Sequence, residues 1–191
     1  ISDLEVVQKE TDGNLWYFRY PIEGEEDRFI TVATTRPETM LGDTGVAVHP
    51  EDERYTDIIG KYAILPIAGR RLKIVADDYA DPEQGSGAVK ITPAHDFNDF
   101  EVGKRGDLGM INVLDASANV VIDTDEFRAD TSASKWADPD AAIAKYNGLD
   151  RFEARKAIVA DMEARGLLAE IEPHKHMIPF GDRSDVVIEP W

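Results

Sequence analysis

The chain has 191 residues, 42% of them hydrophobic and 31% charged, and its 38 acidic against 21 basic side chains leave a net charge of −17. That length is enough to bury a core, no apolar run approaches the roughly 20 residues that spanning a bilayer needs, and the lack of cysteine excludes disulfides and thiolate metal sites. The acidic excess opposes the basic footprint through which nucleic-acid binders neutralise phosphates, so the expectation is a soluble globular protein with a well-solvated acidic surface.

The sequence opens on Ile1 with no signal or transit pattern before "SDLEVVQ" and stops at "IEPW". Both ends read as those of a piece of a longer protein. "NLWYFRYPI" (Asn14 to Ile22) and "DRFITVATT" (Asp27 to Thr35) are β-branched and aromatic, which predicts two strands joined by the polar turn "EGEED". "TGVAVHP", "YAILPI" and "RRLKIVA" follow as short strands bounded by Gly, Pro or Asp, and "GAVKITP" (Gly87 to Pro93) is another, ended by its proline. Many short strands at close spacing favour a sandwich or barrel. A short helix is expected over Asp99 to Arg105.

The stretch Asp123 to Asp140 is acidic, rich in small residues and irregular, and reads as a surface excursion. The clearest helix is "DRFEARKAIVADMEARG", with Asp150 as N-cap, Glu153 three residues on and Gly166 as a stop. Phe152, Ile158, Val159 and Met162 recur at helical spacing as a core stripe, and Asp161 with Arg165 makes a favourable i,i+4 pair. No internal repeat is evident.

Chemistry concentrates in "GSGAVKITPAHDFNDFEVG" (Gly85 to Gly103). A phosphate loop would need Lys-Ser/Thr at a helix start, but Lys90 is followed by Ile91 and Thr92 in a strand pattern that Pro93 ends. A metal site is the second reading, with His95, Asp96 and Asp99 as N/O ligands and His174 with His176 as an H-x-H pair. Neighbours on a strand point apart, however, and Lys90 would repel a cation, so packed or exposed histidines are the plainer account. The third reading is a polar recognition pocket. Lys90 and Thr92 share a strand face, the glycines let backbone approach a ligand closely, and Asp99 projects from the same side of a starting helix as Asp96. An ammonium, a hydroxyl and two carboxylates suit a ligand with a hydroxyl and an amine, such as a small polar amino acid. Ordinary surface polarity competes with this reading. "TTRPETMLGDT" (Thr34 to Thr44) adds four threonines, an arginine and two acids directly after an apolar strand.

"ATTRPETMLGDTGVAVHPEDERY" together with "GSGAVKITPAHDFNDFEVGKR" resembles the editing domain inserted in class I aminoacyl-tRNA synthetases for branched aliphatic amino acids, most of all the valyl type. "YNGLDRFEARKAIVADMEARGLL" and "HKHMIPFGDRSDVVIEPW" extend the likeness over nearly the whole chain, and it is weakest in Ala116 to Ala144. Leucyl types read Arg-Pro-Asp-Thr where this chain has Arg36-Pro37-Glu38-Thr39, and isoleucyl types lack the arginine. Lysine after Gly-x-Gly-Ala-Val, here Lys90, is a valyl feature. Gln84 and Phe97 depart from that pattern, which carries phenylalanine and proline there.

The resemblance implies an α+β, β-rich fold, a distorted six-stranded β-barrel core with peripheral helices. It further implies one editing domain over 1–191 cut from a longer synthetase, with 116–144 as a variable surface excursion. The implied reaction is hydrolysis of the ester joining threonine to the terminal ribose of valine tRNA, accepting threonine by its hydroxyl and refusing valine. Asp99 would hold the α-ammonium. Thr34 and Thr35 would contact the scissile ester or orient water, so these three are the catalytic candidates. Thr39 would set the pocket's size and polarity, Lys90, Thr92 and Asp96 would read the hydroxyl, and Arg36 would bond the tRNA 3′ end or brace the loop. No residue stands out as a general base, and a ribose hydroxyl can assist.

The implied partners are the threonine-charged 3′ end of valine tRNA and the rest of a cytoplasmic parent synthetase, with no membrane. No metal or cofactor is implied for this segment; ATP and Mg would belong to the parent's synthetic domain. The alternatives are an isoleucyl- or leucyl-type editing domain, or a non-catalytic acidic β-module whose best feature is Asp123 to Asp140.

Overall fold

Strand β1 (Val6–Ile22) is the spine of the sheet in the computed structural model, which describes residues 5–189. The two chain-end readings, at Ile1 to Leu4 and at Pro190 and Trp191, lie outside the described residues. From Trp16 onward β1 alternates, sending Trp16, Phe18, Tyr20 and Ile22 inward, as the period of a half-buried strand requires. It pairs antiparallel with β2 (Glu25–Thr34) through a two-residue turn at Glu23 and Gly24, the glycine supplying φ of 80°.

The first eight residues of β1 exceed the expected strand. Their polar run has no alternation because that part is an exposed ribbon, held by β7 (Leu168–Gly181) in register from Val6↔Gly181 to Phe18↔Leu168. The strand-like "HKHMIPF" is the outer half of β7.

β3 (Gly45–Val48), β4 (Tyr62–Ile64), β5 (Arg71–Ala76) and β6 (Ala88–Ile91) complete the sheet in the order β2-β1-β4-β5-β3-β6. The β3–β5 pair is parallel and the others are antiparallel. β3 lies between two strands and is buried at every position, which explains its unbroken apolar run. The sheet curls enough to bring β6 back beside β2 without pairing the two strands, and Ser86, just before β6, donates its hydroxyl to the Thr31 carbonyl of β2. The result is a β-rich α+β architecture, a curled six-strand half-barrel with β7 added outside β1.

Among the described residues four α-helices pack around it. α1 (Phe97–Gly106) starts two residues before the expected one because Asp96 caps it, accepting from Asn98 N and Asp99 N. The acidic stretch read as irregular holds α2 (Asp125–Arg128) and the start of α3 (Pro139–Tyr146), capped by Thr124 and Asp138. Phe127 from this stretch reaches the core, beside Val120 and Ile122 just before it. α4 (Arg151–Ala164) has the expected Asp150 cap, and Gly166 follows it at φ 73°. Its buried face is Arg151, Ala154, Ile158 and Met162; Phe152, expected in the stripe, is 39% exposed. The helix phase is set by Ile158 and Met162, and position 152 falls about 120° from Ile158, on the solvent side.

Candidate active site

The site is built where β2 runs out. Its last residue, Thr34, turns its hydroxyl back to accept from Arg36 N at 3.0 Å, which bends the chain toward a 3-10 turn over Pro37–Gly42. Pro37 supplies a preset φ at the first position of that turn. Thr39 donates to the Arg36 carbonyl at 3.0 Å and closes it. Every residue of the turn is buried, including the charged Glu38, whose carboxylate is forked by Arg155 of α4 at 2.8 and 2.8 Å. Gly42 ends the turn where nothing larger fits, since a Cβ there would lie 2.9 Å from the Ile111 carbonyl and 3.3 Å from the Thr92 methyl.

β6 brings Lys90 and Thr92 to this turn from across the sheet. The Lys90 ammonium, 6% exposed, donates to Asp43 Oδ1 at 2.8 Å, to Thr39 at 3.1 Å and to Thr92 at 2.6 Å. An ammonium has three protons, and all three are committed. Thr92 in turn donates to Asp43 Oδ1 at 2.6 Å, and Tyr20 of β1 donates to Asp43 Oδ2 at 2.8 Å. Burial pushes the carboxyl of fully enclosed Asp43 upward, while Lys90 and the two hydroxyls pull it back. Arg70, also buried, fixes the backbone around it by donating to the carbonyls of Leu41 and Asp43 at 2.8 and 2.9 Å.

Asp96 and Asp99 stand at the start of α1, just beyond the end of β6. Asp99 is 7% exposed and accepts from Thr92 N through Oδ2 at 2.9 Å, so it is tied to the same strand as the lysine. Burial, then the neighbouring Asp96 charge, lifts the Asp99 carboxyl to about 7. Asp96 spends Oδ1 on the helix cap. Among the described residues no hydrogen bond reaches Asp96 Oδ2 or Asp99 Oδ1, and these two oxygens are available acceptors.

His95 points elsewhere: its Nε2 accepts from Val113 N at 3.0 Å. Burial, with Arg36 and Lys90 nearby, lowers it to about 4, so the ring is neutral and its proton sits on Nδ1. His174 and His176 stack on each other at 5.7 Å in the outer ribbon, opposite Gly13 and Thr11.

The fold therefore gathers Thr39, Lys90, Thr92 and Asp99 into one hydrogen-bonded set. Thr34, Thr35 and Arg36 directly precede the turn that carries Thr39, Arg36 reaching the His95 carbonyl at 2.9 Å. Asp43 is the residue that sequence reasoning passed over, counting it only as one of two acids. The available signal was indirect: a lysine on a buried strand face requires a counter-charge.

Comparisons with known proteins agree with this architecture. A family model described as the leucyl-tRNA synthetase editing domain matches residues 56–163, over half the chain. The chain is 58% identical over 198 residues to a valine–tRNA ligase of Mesorhizobium japonicum, covering 100% of this chain and 21% of that protein. It is 59% identical over 200 residues to the valine–tRNA ligase of Rhodopseudomonas palustris, covering 100% and 20%. The chain thus spans about a fifth of the length of the curated relatives it matches. Among solved structures, the ternary complex of Agrobacterium radiobacter K84 agnB2 LeuRS with tRNA and LeuAMS superposes with a TM-score of 0.54 at 20% identity. That match covers 89% of this chain and 20% of that one, a likeness of fold.

Proposed function

The chain belongs to the aminoacyl-tRNA synthetase editing-domain family, in the company of valine–tRNA ligases, and from that premise we propose that it hydrolyses threonine from mischarged valine tRNA. Valine and threonine are nearly isosteric, and an apolar synthetic pocket rejects the added hydroxyl only about a hundredfold, valyl-tRNA synthesis being the usual example of that limit. A second site has to work by the opposite physics. It should satisfy an alcohol and leave its own polar groups stranded when a methyl arrives, at about 1–3 kcal/mol for each buried group left unpaired.

The observation that carries this reading is a pair of carboxylate oxygens without a hydrogen bond among the described residues, Asp96 Oδ2 and Asp99 Oδ1, next to the buried Lys90–Asp43 pair, whose own hydrogen bonds hold the hydroxyls of Thr39 and Thr92 in fixed orientation. Lys90 serves the pocket by locking those oxygens. The substrate hydroxyl then donates to the free oxygen of Asp96 beside that wall. The α-ammonium is held by the free oxygen of Asp99 through a charge-assisted bond. Thr34 and Thr35 face the ester and orient water. An aminoacyl ester is reactive enough that aligned water and a stabilised oxyanion suffice, with a ribose hydroxyl able to assist. The segment 1–191 acts as one domain of a longer synthetase, whose other parts bind the body of the tRNA.

The test is deacylation of threonyl- and valyl-tRNA(Val) by a synthetase carrying this segment. Asp99→Ala is expected to abolish threonine release, and Asp96→Ala to narrow the threonine-to-valine ratio while leaving measurable hydrolysis. Undiminished threonine release in Asp99→Ala would overturn the assignment.

A further inference from the structure

Arg70, just before β5, is 3% exposed, and among the described residues every hydrogen bond of its side chain goes to a main-chain carbonyl. Nη1 donates to Leu41 and Asp43 at 2.8 and 2.9 Å, on either side of Gly42. Nη2 donates to Phe127 at 3.4 Å, and the guanidinium lies 5.2 Å from the Phe127 ring. Nε has no partner among the described residues. Burial draws the guanidinium down to about 10, and Asp43 is the first of the charges that oppose this. Burying a cation without a bonded carboxylate is costly, so its position calls for a reason.

The loop that presents Arg70 is stitched to the acidic excursion Asp123 to Asp140. Ile67 N donates to the Trp136 carbonyl at 3.0 Å and Asp138 N to the Ile67 carbonyl at 3.1 Å. Ser132 N bonds the Gly69 carbonyl and Arg71 N the Asp130 carbonyl, both at 2.9 Å. Ile67 itself is buried at φ 72°, a left-handed conformation that a β-branched residue rarely adopts. Such strain persists only where the surroundings over-determine it, and it gathers at functional positions.

We propose that Arg70 is a specificity-determining positioning residue, through which the excursion sets the place of Asp43 and so the orientation of the hydroxyls that Lys90 locks. This rests on the editing reading. The Asp43 carboxylate is held by Tyr20, Lys90 and Thr92, and its carbonyl by Arg70, so side chain and main chain are fixed separately. Gly42, between the two carbonyls that Arg70 grips, has no room to move toward Ile111. A displacement of Asp43 by a few tenths of an ångström is therefore taken up in its bonds to Lys90 and Thr92.

The experiment measures threonyl- and valyl-tRNA(Val) deacylation by a full-length synthetase carrying this segment. Arg70→Lys keeps the charge but gathers its donors on one nitrogen, which loses the fork between the turn and Phe127. It should lower kcat/KM for threonine release about tenfold, the size of one misplaced buried hydrogen bond, and leave valine release unchanged. Phe127→Leu keeps the carbonyl and removes the ring, and should lower the threonine-to-valine ratio about threefold. The double variant should fall no further than Arg70→Lys alone, because the excursion acts through the arginine. Tyr146→Phe, which removes a hydrogen bond to Asp161 between α3 and α4, should lower the melting midpoint without moving the ratio.

An unmoved ratio in Arg70→Lys, multiplied losses in the double variant, or an equal fall of the ratio in Tyr146→Phe would each overturn the inference. Where Arg70→Lys does not fold, Phe127→Leu decides, and an unmoved ratio there overturns it. An unsubstituted enzyme that releases no threonine overturns the editing reading instead, so the two failures are distinct.

Discussion

Asp99 shows how one side chain's setting becomes a measurable pH dependence. Burial and the Asp96 charge hold its carboxyl near 7, so the folded state binds that proton more tightly than the unfolded chain does. The stability contributed by the bound proton is fully present below about 4 and is lost as pH rises through about 7. Function runs the other way, since only the ionised carboxylate can hold an ammonium. After subtraction of the uncatalysed rate, kcat/KM for threonyl ester hydrolysis should rise with pH through an inflection near 7 and fall again where the substrate's α-ammonium loses its proton, at about 8. A profile flat from pH 5.5 to 8 would contradict this role.

Asp43 gives a second residue-scale expectation. Asp43→Asn leaves the Lys90 charge buried without its counter-ion and should cost about 3–5 kcal/mol in a urea melt; a loss below about 1 kcal/mol would show the pair to be dispensable. Lys90, Thr92 and Asp99 drew attention in the sequence because they lie in one dense motif with strand or cap periodicity, and Thr39 through the family resemblance alone. Asp43 did not, because its partners come from 47 and 49 residues downstream and from β1, and nothing local announces them.

Among the elements, the 3-10 turn Pro37–Gly42 carries Thr39 to the Lys90 ammonium, and α4 clamps the turn through Arg155 and Glu38. Gly42→Ala would press a methyl against the Ile111 carbonyl and the Thr92 methyl. The expected loss is about 1–3 kcal/mol together with a reduced threonine-to-valine hydrolysis ratio, read from thermal melts and paired deacylation assays. Full retention of both would mean the turn has room that the geometry denies. Strands β2 to β6 were legible because each carries a short apolar run cut by Gly, Pro or Asp. The outer half of β1 was not, since a ribbon solvated on both faces has no hydrophobic period. Phe152 was misplaced for the same kind of reason: helical spacing alone does not say which arc of the helix meets the sheet.

On the scale of the molecule, an acidic body is a poor capturer of a whole tRNA. This chain alone should deacylate threonyl-tRNA(Val) with a kcat/KM at least about a hundredfold below that of a full-length synthetase, in keeping with the large share of nucleic-acid affinity carried by phosphate contacts. The comparison is a steady-state assay of both at one ionic strength, and equal values would refute it.

β1 runs seventeen residues without interruption, about 56 Å of strand. One end protrudes as a ribbon and the other carries the phenol that grips Asp43. Its pairing shifts register against β7 at Tyr17/Phe18 and against β2 at Pro21/Ile22, so that phenol stands between two irregularities, where a strand can aim one side chain apart from the regular ribbon outside.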